Sequence, residues 1–340
     1  MGGLGLGGMG VFGSACSRDG DGDGAGAGAG ELAATRTMSL SVFTPSGPAL
    51  GTVDEIPPSL RPAFDADGHA AAPADLPMDG ESGQTYADYL DENPPRPSAG
   101  AATIALLPIG AYPNGFIVEE GAVRLVRSPS LALVSRFIEA WFGLPTRVLP
   151  AMSDTLLESM PSREHDGRRQ LDARALLDWL RWQRPVDATC MLALTLEDLH
   201  DDTAQWLFGY ASIDARVGVH SMLRYDPGFD DTHARGPGFR AVIKSRALRV
   251  VAHEVAHMFG LRHCLHCLHF RCIMNPIAGL EDLDALPLRL CPVCLRKLWS
   301  ATGVPLASRW EALWGLGLEI GRPDERQWYA DRLRRLERAR

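Results

Sequence analysis

The chain has 340 residues, 46% of them hydrophobic and 22% charged, with a formal net charge of −8. That is enough for one large domain or two ordinary ones with a sizeable core. The negative balance argues against nucleic acid as a partner, and no apolar run reaches the roughly 18 residues of a membrane span.

The acidity is local. Residues 1–100 hold 14 Asp and Glu against 4 Lys and Arg, whereas the remainder holds 28 against 30. The opening MGGLGLGGMGVFGSAC has neither the basic nor the apolar region of a secretory signal, and Leu6 stands where an N-terminal acylation site needs Ser or Thr. Residues 1–35 are Gly-rich, and 44–100 are rich in Pro, Ala and Asp. Neither stretch has a structural period, so the acidic segment 1–100 is expected to be disordered. Its DGDG run lacks the closing Glu and flanking helices of a calcium loop.

Elements are expected from Thr103 onward. Residues 103–108 read as a buried strand. Leu131, Val134, Phe137, Ile138 and Trp141 recur at helical spacing and stop at Gly143. A strand follows at 146–149, a helix around Ala173, Leu176, Leu177 and Leu180, and a buried strand at 190–194. Two strands, 206–212 and 217–223, join through the tight segment 213–216. A long helix is expected from an N-cap at Ser245 to Gly260, then helices near 292–302, 308–319 and 324–340. The order is that of an α/β or α+β fold.

The long helix carries His253, Glu254 and His257. Histidines four apart share one helix face, so both imidazoles reach one ion. Glu254 projects about 100° away by helical geometry and addresses a water rather than the metal. Gly260 allows the turn that returns His263 as a third nitrogen ligand. Three histidines and one open position are the layout of a catalytic zinc. Five of the seven cysteines lie between 264 and 294, a clustering that in a reducing compartment points to metal rather than disulfides. Cys291 and Cys294 form a CxxC knuckle, and Cys264, Cys267 and Cys272 are the candidates for completing a closed tetrahedral site. A redox CxxC is the rival reading, but the thioredoxin-like unit is missing.

At these residues the sequence resembles the archaemetzincins, a family of metzincin zinc metallopeptidases with the pattern HExxHxxGxxHC, CxM, CxxC. His253-Glu254, His257, Gly260, His263-Cys264, Cys272-Ile273-Met274 and Cys291-Pro292-Val293-Cys294 follow it. Two spacings depart: seven residues instead of four separate Cys264 from Cys272, and sixteen instead of seventeen separate Met274 from Cys291. Cys267 keeps the four-residue spacing to Cys272. Cys264 keeps the position beside His263, which the catalytic ion pins while a loop can bulge. Cys264 is therefore the choice, with Cys267 as its alternative.

The resemblance covers roughly residues 103–305. It implies a metzincin-like zincin: a twisted mixed sheet with an antiparallel edge strand, an active-site helix and a Cys-rich zinc knuckle in a C-terminal subdomain. A metallopeptidase domain would span 101–322, followed by a helical tail, 323–340. Two Zn2+ ions per chain are implied. One is catalytic, on His253, His257 and His263; one is structural, on Cys264, Cys272, Cys291 and Cys294. Met274 would support the histidines from below in a Met-turn. The implied activity is hydrolysis of peptide bonds, with Glu254 as general base on the zinc's water. The substrate, a peptide or protein, would add as an antiparallel strand beside residues 208–212. The expected setting is intracellular, cytoplasmic or nuclear, and the expected state a monomer with no nucleic-acid or membrane partner.

The alternative is a catalytically inactive, zinc-stabilised peptide-binding module of the same fold, against which the intact Glu254 argues. The arginine-rich stretch 324–340 reads as a solvated helix face. Tyr225 reads as a packed residue rather than an oxyanion donor. Asp198 and His200 are expected in a loop without partners, Cys16 in disorder, and Cys190 as a small buried thiol.

Overall fold

The computed structural model describes residues 13–17, 48–65, 83–110, 112, 128–227, 229, 238–266 and 272–340. The sheet strands are β1 (Gly13–Ser17), β2 (Thr103–Ile109), β3 (Thr146–Val148), β4 (Ser162–His165), β5 (Arg168–Asp172), β6 (Ala188–Thr195), β7 (Asp198–His200), β8 (Leu207–Ser212) and β9 (Val217–Ser221). Their order is β3-β2-β6-β9-β8-β7-β5-β4, with β1 also paired to β8. β3, β2, β6 and β9 run parallel, and β8 runs antiparallel to β9. The expected mixed sheet with an antiparallel strand is therefore present, but β8 is not the expected edge strand, since β7 and β1 lie on the side away from β9. β8 touches β7 at a single position, Leu199 opposite Leu207.

Every residue of β6 is buried, because the sheet is covered on both faces. Its side chains alternate between two cores, as the two-residue strand period requires. Cys190, Leu192 and Leu194 join the core shared with helices α2 (Leu131–Phe142) and α5 (Phe239–His257). Met191 and Ala193 join the core shared with α4 (Ala173–Gln183). α2 begins on its Ser130 cap and ends at Gly143 in the left-handed region, as its sequence predicts.

Several expectations need correction. The long helix starts at Phe239, six residues before the expected cap. The Ser245 hydroxyl accepts instead from Arg249 Nη1 one turn on, at 2.9 Å. The β4–β5 hairpin and the short helix α3 (Asp154–Ser159) were not foreseen. Asp198 and His200 are not in a partnerless loop: they lie in β7, and Asp198 takes both Nε and Nη2 of Arg224, at 2.7 and 2.6 Å.

The N-terminal hundred residues do not fit the expected disorder over 13–17, where Cys16 lies in β1, nor over 48–65 and 83–100. Three short 3-10 turns (Pro48–Leu50, Val53–Glu55 and Pro58–Phe64) and helix α1 (Tyr86–Asp91) bury Leu50, Ile56, Phe64 and Tyr89 in the larger core. Their spacing is irregular because the turns are, so no period betrays them. α1 opens on a capping box between Thr85 and Asp88. The other residues of this hundred, apart from β1, lie outside the described residues. The chain continues through α6 (Leu280–Ala285), α7 (Pro292–Thr302), α8 (Leu306–Leu316) and α9 (Pro323–Arg338). α9 is not merely a solvated face, since Tyr329 and Leu336 are buried in the same core. No described helix is long and apolar enough to cross a membrane.

Candidate metal centres

His253 and His257 occupy the last turns of α5. Gly260 then takes φ +85°, a conformation that costs glycine little, and the chain reverses to bring up His263. Each of the three imidazoles offers a nitrogen within 4.8 Å of the others. His253 Nδ1–H donates to the Ile273 carbonyl at 2.8 Å, and His257 Nδ1–H to the Leu261 carbonyl at 2.7 Å. A carbonyl only accepts, so each ring carries its proton on Nδ1 and turns the Nε2 lone pair inward. The two Nε2 atoms lie 2.9 Å apart. Two acceptors at that distance suit a cation shared by both.

Both rings are held neutral. Burial and the nearby His263 push His253 down to about 3, partly offset by the Ile273 carbonyl. Burial, then His253 and His263, push His257 well below the usual range. Neutral imidazole is the form that ligates.

The second cluster follows at once in sequence. Cys264, Cys272, Cys291 and Cys294 are buried, unbridged, and bring their sulfurs within 4.8 Å of one another. Cys264 Sγ and Cys291 Sγ are 3.7 Å apart, far beyond a disulfide bond. The N–H of Cys294 points at Cys291 Sγ from 3.5 Å, and that of Cys291 at Cys272 Sγ from 3.4 Å. Burial and the neighbouring thiols push Cys272 well above the usual thiol range. Four buried sulfurs this close together fit a dication that would draw them as thiolates. Cys267 lies outside the described residues.

The two clusters are mechanically one unit. Cys264 N–H donates to the Met274 carbonyl at 2.7 Å, and Asn275 Nδ2 to the Cys264 carbonyl at 2.8 Å. One residue before Met274, the Ile273 carbonyl orients His253. The Met274 side chain is fully buried in the core, where its backbone rather than its thioether is seen to link the clusters.

Residues 161–300 match the profile of Peptidase family M54. The chain is 29% identical to human archaemetzincin-2 over 241 residues, 64% of each protein. It is 32% identical to human archaemetzincin-1 over 204 residues, 52% of this chain and 40% of that one. Residues 161–300 are therefore similar to the archaemetzincins. The chain thus spans somewhat less than two thirds of the archaemetzincin-2 length. A crystal structure of the archaemetzincin from Methanopyrus kandleri aligns at 24% identity over 60% of this chain and 97% of its own, with a TM-score of 0.43.

Glu254 is fully buried on α5, between the turns that carry His253 and His257. Its carboxylate lies against the backbone of β8. A Cβ at Gly209 would sit 2.7 Å from Glu254 Oε1 and 2.9 Å from Cδ, so any larger residue there would push the carboxylate aside. Tyr225 is also buried. Its hydroxyl is 2.8 Å from His220 Nε2 and its carbonyl accepts from Arg246 Nη1 at 2.8 Å. Burial, then the Glu254 charge, keep the phenol protonated. It is a packed residue, as its sequence context suggests, though placed in a 3-10 turn, Leu223–Tyr225, rather than in a strand.

Sequence reasoning missed Gly209, and it missed the brace on the His257–His263 turn. Gln84 Nε2 donates to the Gly260 carbonyl at 3.1 Å, and Gln84 Oε1 accepts from Arg262 N–H at 3.2 Å and from Lys297 Nζ at 3.0 Å. Tyr89 hydroxyl donates to the Phe259 carbonyl at 2.8 Å, and Glu92 pairs with Arg262 at 3.0 Å. These residues sit in an acidic stretch without periodicity, so only the Thr85–Asp88 capping pair marked it in the sequence.

Proposed function

We propose that the chain is a zinc-dependent peptidase in which Glu254 is the general base. The observation that carries the reading is the burial of that carboxylate against Gly209, one residue from an imidazole set whose lone pairs converge. Zinc on His253, His257 and His263 would polarise a scissile carbonyl and supply a water acidic enough to attack at neutral pH. Glu254 would accept the proton of that water and deliver it to the departing amine. The backbone of Phe208–Ser212 runs beside Glu254 and would align an extended peptide through main-chain hydrogen bonds.

Cys264, Cys272, Cys291 and Cys294 would hold a second, structural zinc with no open position, fixing His263 through the adjacent backbone. Four unbridged buried thiols suit an intracellular, reducing compartment. The working unit on this reading includes residues 48–65 and 83–100 as well as 101–322, since 83–100 brace the turn between His257 and His263 and 48–65 pack into the same core.

Metal exchange tests the proposal. Hydrolysis of pooled peptides should vanish on removing zinc with a chelator and return on adding it back. Hydrolysis that persists in metal-free protein would overturn it.

A further inference from the structure

Beyond the metal clusters, the backbone pairing of β1 is unaccounted for. β8 has β9 on one side over Gly209–Ser212. On the other side β7 reaches it only at Leu207. The remaining edge, Phe208–Ser212, therefore presents main-chain donors and acceptors that need a partner. Among the described residues that partner is β1: Ala15, Cys16 and Ser17 stand opposite Tyr210, Ala211 and Ser212 in a parallel ladder. Gly13 stands opposite Leu207, so two steps of β1 face three of β8 and the irregularity falls at Phe208–Gly209. That is the stretch against which Glu254 packs.

We infer that the open edge of β8 is a strand-accepting surface whose resident occupant is the chain's own Gly13–Ser17. Any peptide that reaches the Glu254 side of β8 by strand addition must displace it. The identification of that competitor as a substrate rests on the peptidase reading above.

Three features suit the occupant to competition with an incoming strand. The contact is five residues long, and a parallel pair is slightly weaker per residue than an antiparallel one. Its sequence, GSACS, is small and uncharged, without the lysines or prolines that guard an edge against pairing. It is part of the same chain: residues 18–47 separate Ser17 from the turn that begins at Pro48. Its pairing is therefore intramolecular, so a weak strand still competes with dilute peptide.

The test uses the full chain, its Ala15→Pro/Cys16→Pro variant, and a variant lacking residues 2–17. Alternate residues of a strand face a given neighbour, so replacing two in succession removes a ladder donor whichever of them carries it. The probe is a fluorescein-labelled peptide of residues 11–20, VFGSACSRDG, followed by fluorescence anisotropy in reducing buffer. Both variants should bind it at least tenfold more tightly than the unaltered chain, and unlabelled peptide should displace it. Equal affinity for all three proteins would overturn the inference. In parallel, peptide hydrolysis should show KM falling tenfold or more in the variants with kcat unchanged. If none of the proteins hydrolyses peptides while the probe still discriminates among them, the peptidase reading fails and the assignment of the β8 edge stands.

Discussion

Gly209→Ala isolates the contact on which the catalytic reading depends. The added methyl would lie 2.7 Å from Glu254 Oε1, 2.9 Å from Cδ and 3.1 Å from Cγ. Carbon and oxygen rest at roughly 3.4 Å or more, so the carboxylate must retreat by about 0.7 Å. A displacement approaching 1 Å at a reacting group costs on the order of 100-fold in rate. We therefore expect kcat to fall roughly 30- to 100-fold with KM nearly unchanged, and zinc content to remain that of the parent, because none of the proposed ligands is touched. Gly218→Ala is the control. Gly218 is a buried glycine in the adjoining strand β9, and its Cβ would come no closer than 3.3 Å to Leu192 Cδ1, a side-chain carbon. Steady-state kinetics with metal analysis on both variants decides the matter. If Gly209→Ala slows hydrolysis no more than Gly218→Ala does, Glu254 is not held by β8 and the reasoning fails.

Three further outcomes follow from the packing. Deleting residues 1–100 should unfold the chain or drive it to aggregate, because Leu50, Ile56, Phe64 and Tyr89 each contribute roughly 1.5–3 kcal/mol of burial, together comparable to a domain's whole stability. A truncated protein with the parent melting temperature would show that these segments are dispensable. Gln84→Ala should weaken zinc binding at the histidine cluster by about 10- to 100-fold while leaving the cysteine cluster loaded, since it frees the turn between His257 and His263; equal loss from both clusters would contradict this.

The third concerns pH. Burial pushes His220 down to about 3 from an ordinary value near 6.5. The unfolded chain takes up that proton first, so stability is complete above about 6.5 and is lost as pH falls from there toward 3, by up to about 1.4 kcal/mol per pH unit. His220→Gln removes the titration and keeps a partner for Tyr225. Denaturant unfolding at pH 7 and pH 5 should show a smaller acid loss in the variant than in the parent, and parallel losses would sink the argument.

Much of the site was legible because its logic is local. The helical spacing of His253 and His257 and the turn at Gly260 follow from backbone geometry, and the four cysteines drawn from either end of a short stretch are bridged by Met274 and Asn275 as a compact loop should be. The core strands were legible for the same reason: β2 and β6 are apolar runs with their own boundaries. What escaped notice depends on contacts distant in sequence. Gly209 matters only because α5 lays Glu254 across it, and Gln84 only because Gly260 lies 176 residues on. The hairpin turn Asp166-Gly167 did carry a local signal, a DG dipeptide, but its flanking strands are short and partly exposed and gave no apolar alternation. Asp198 could not be paired from sequence because its partner, Arg224, comes from the turn after β9.

The most direct measurement is hydrolysis of pooled peptides by the zinc-loaded chain beside Glu254→Gln, with zinc counted in both. The account predicts two zinc ions in each protein, cleavage by the parent, and a rate lower by at least about 100-fold in the variant. Equal cleavage by both proteins would remove Glu254 from the chemistry; no cleavage by either, with both ions in place, would leave a zinc-stabilised fold that binds peptides without cutting them.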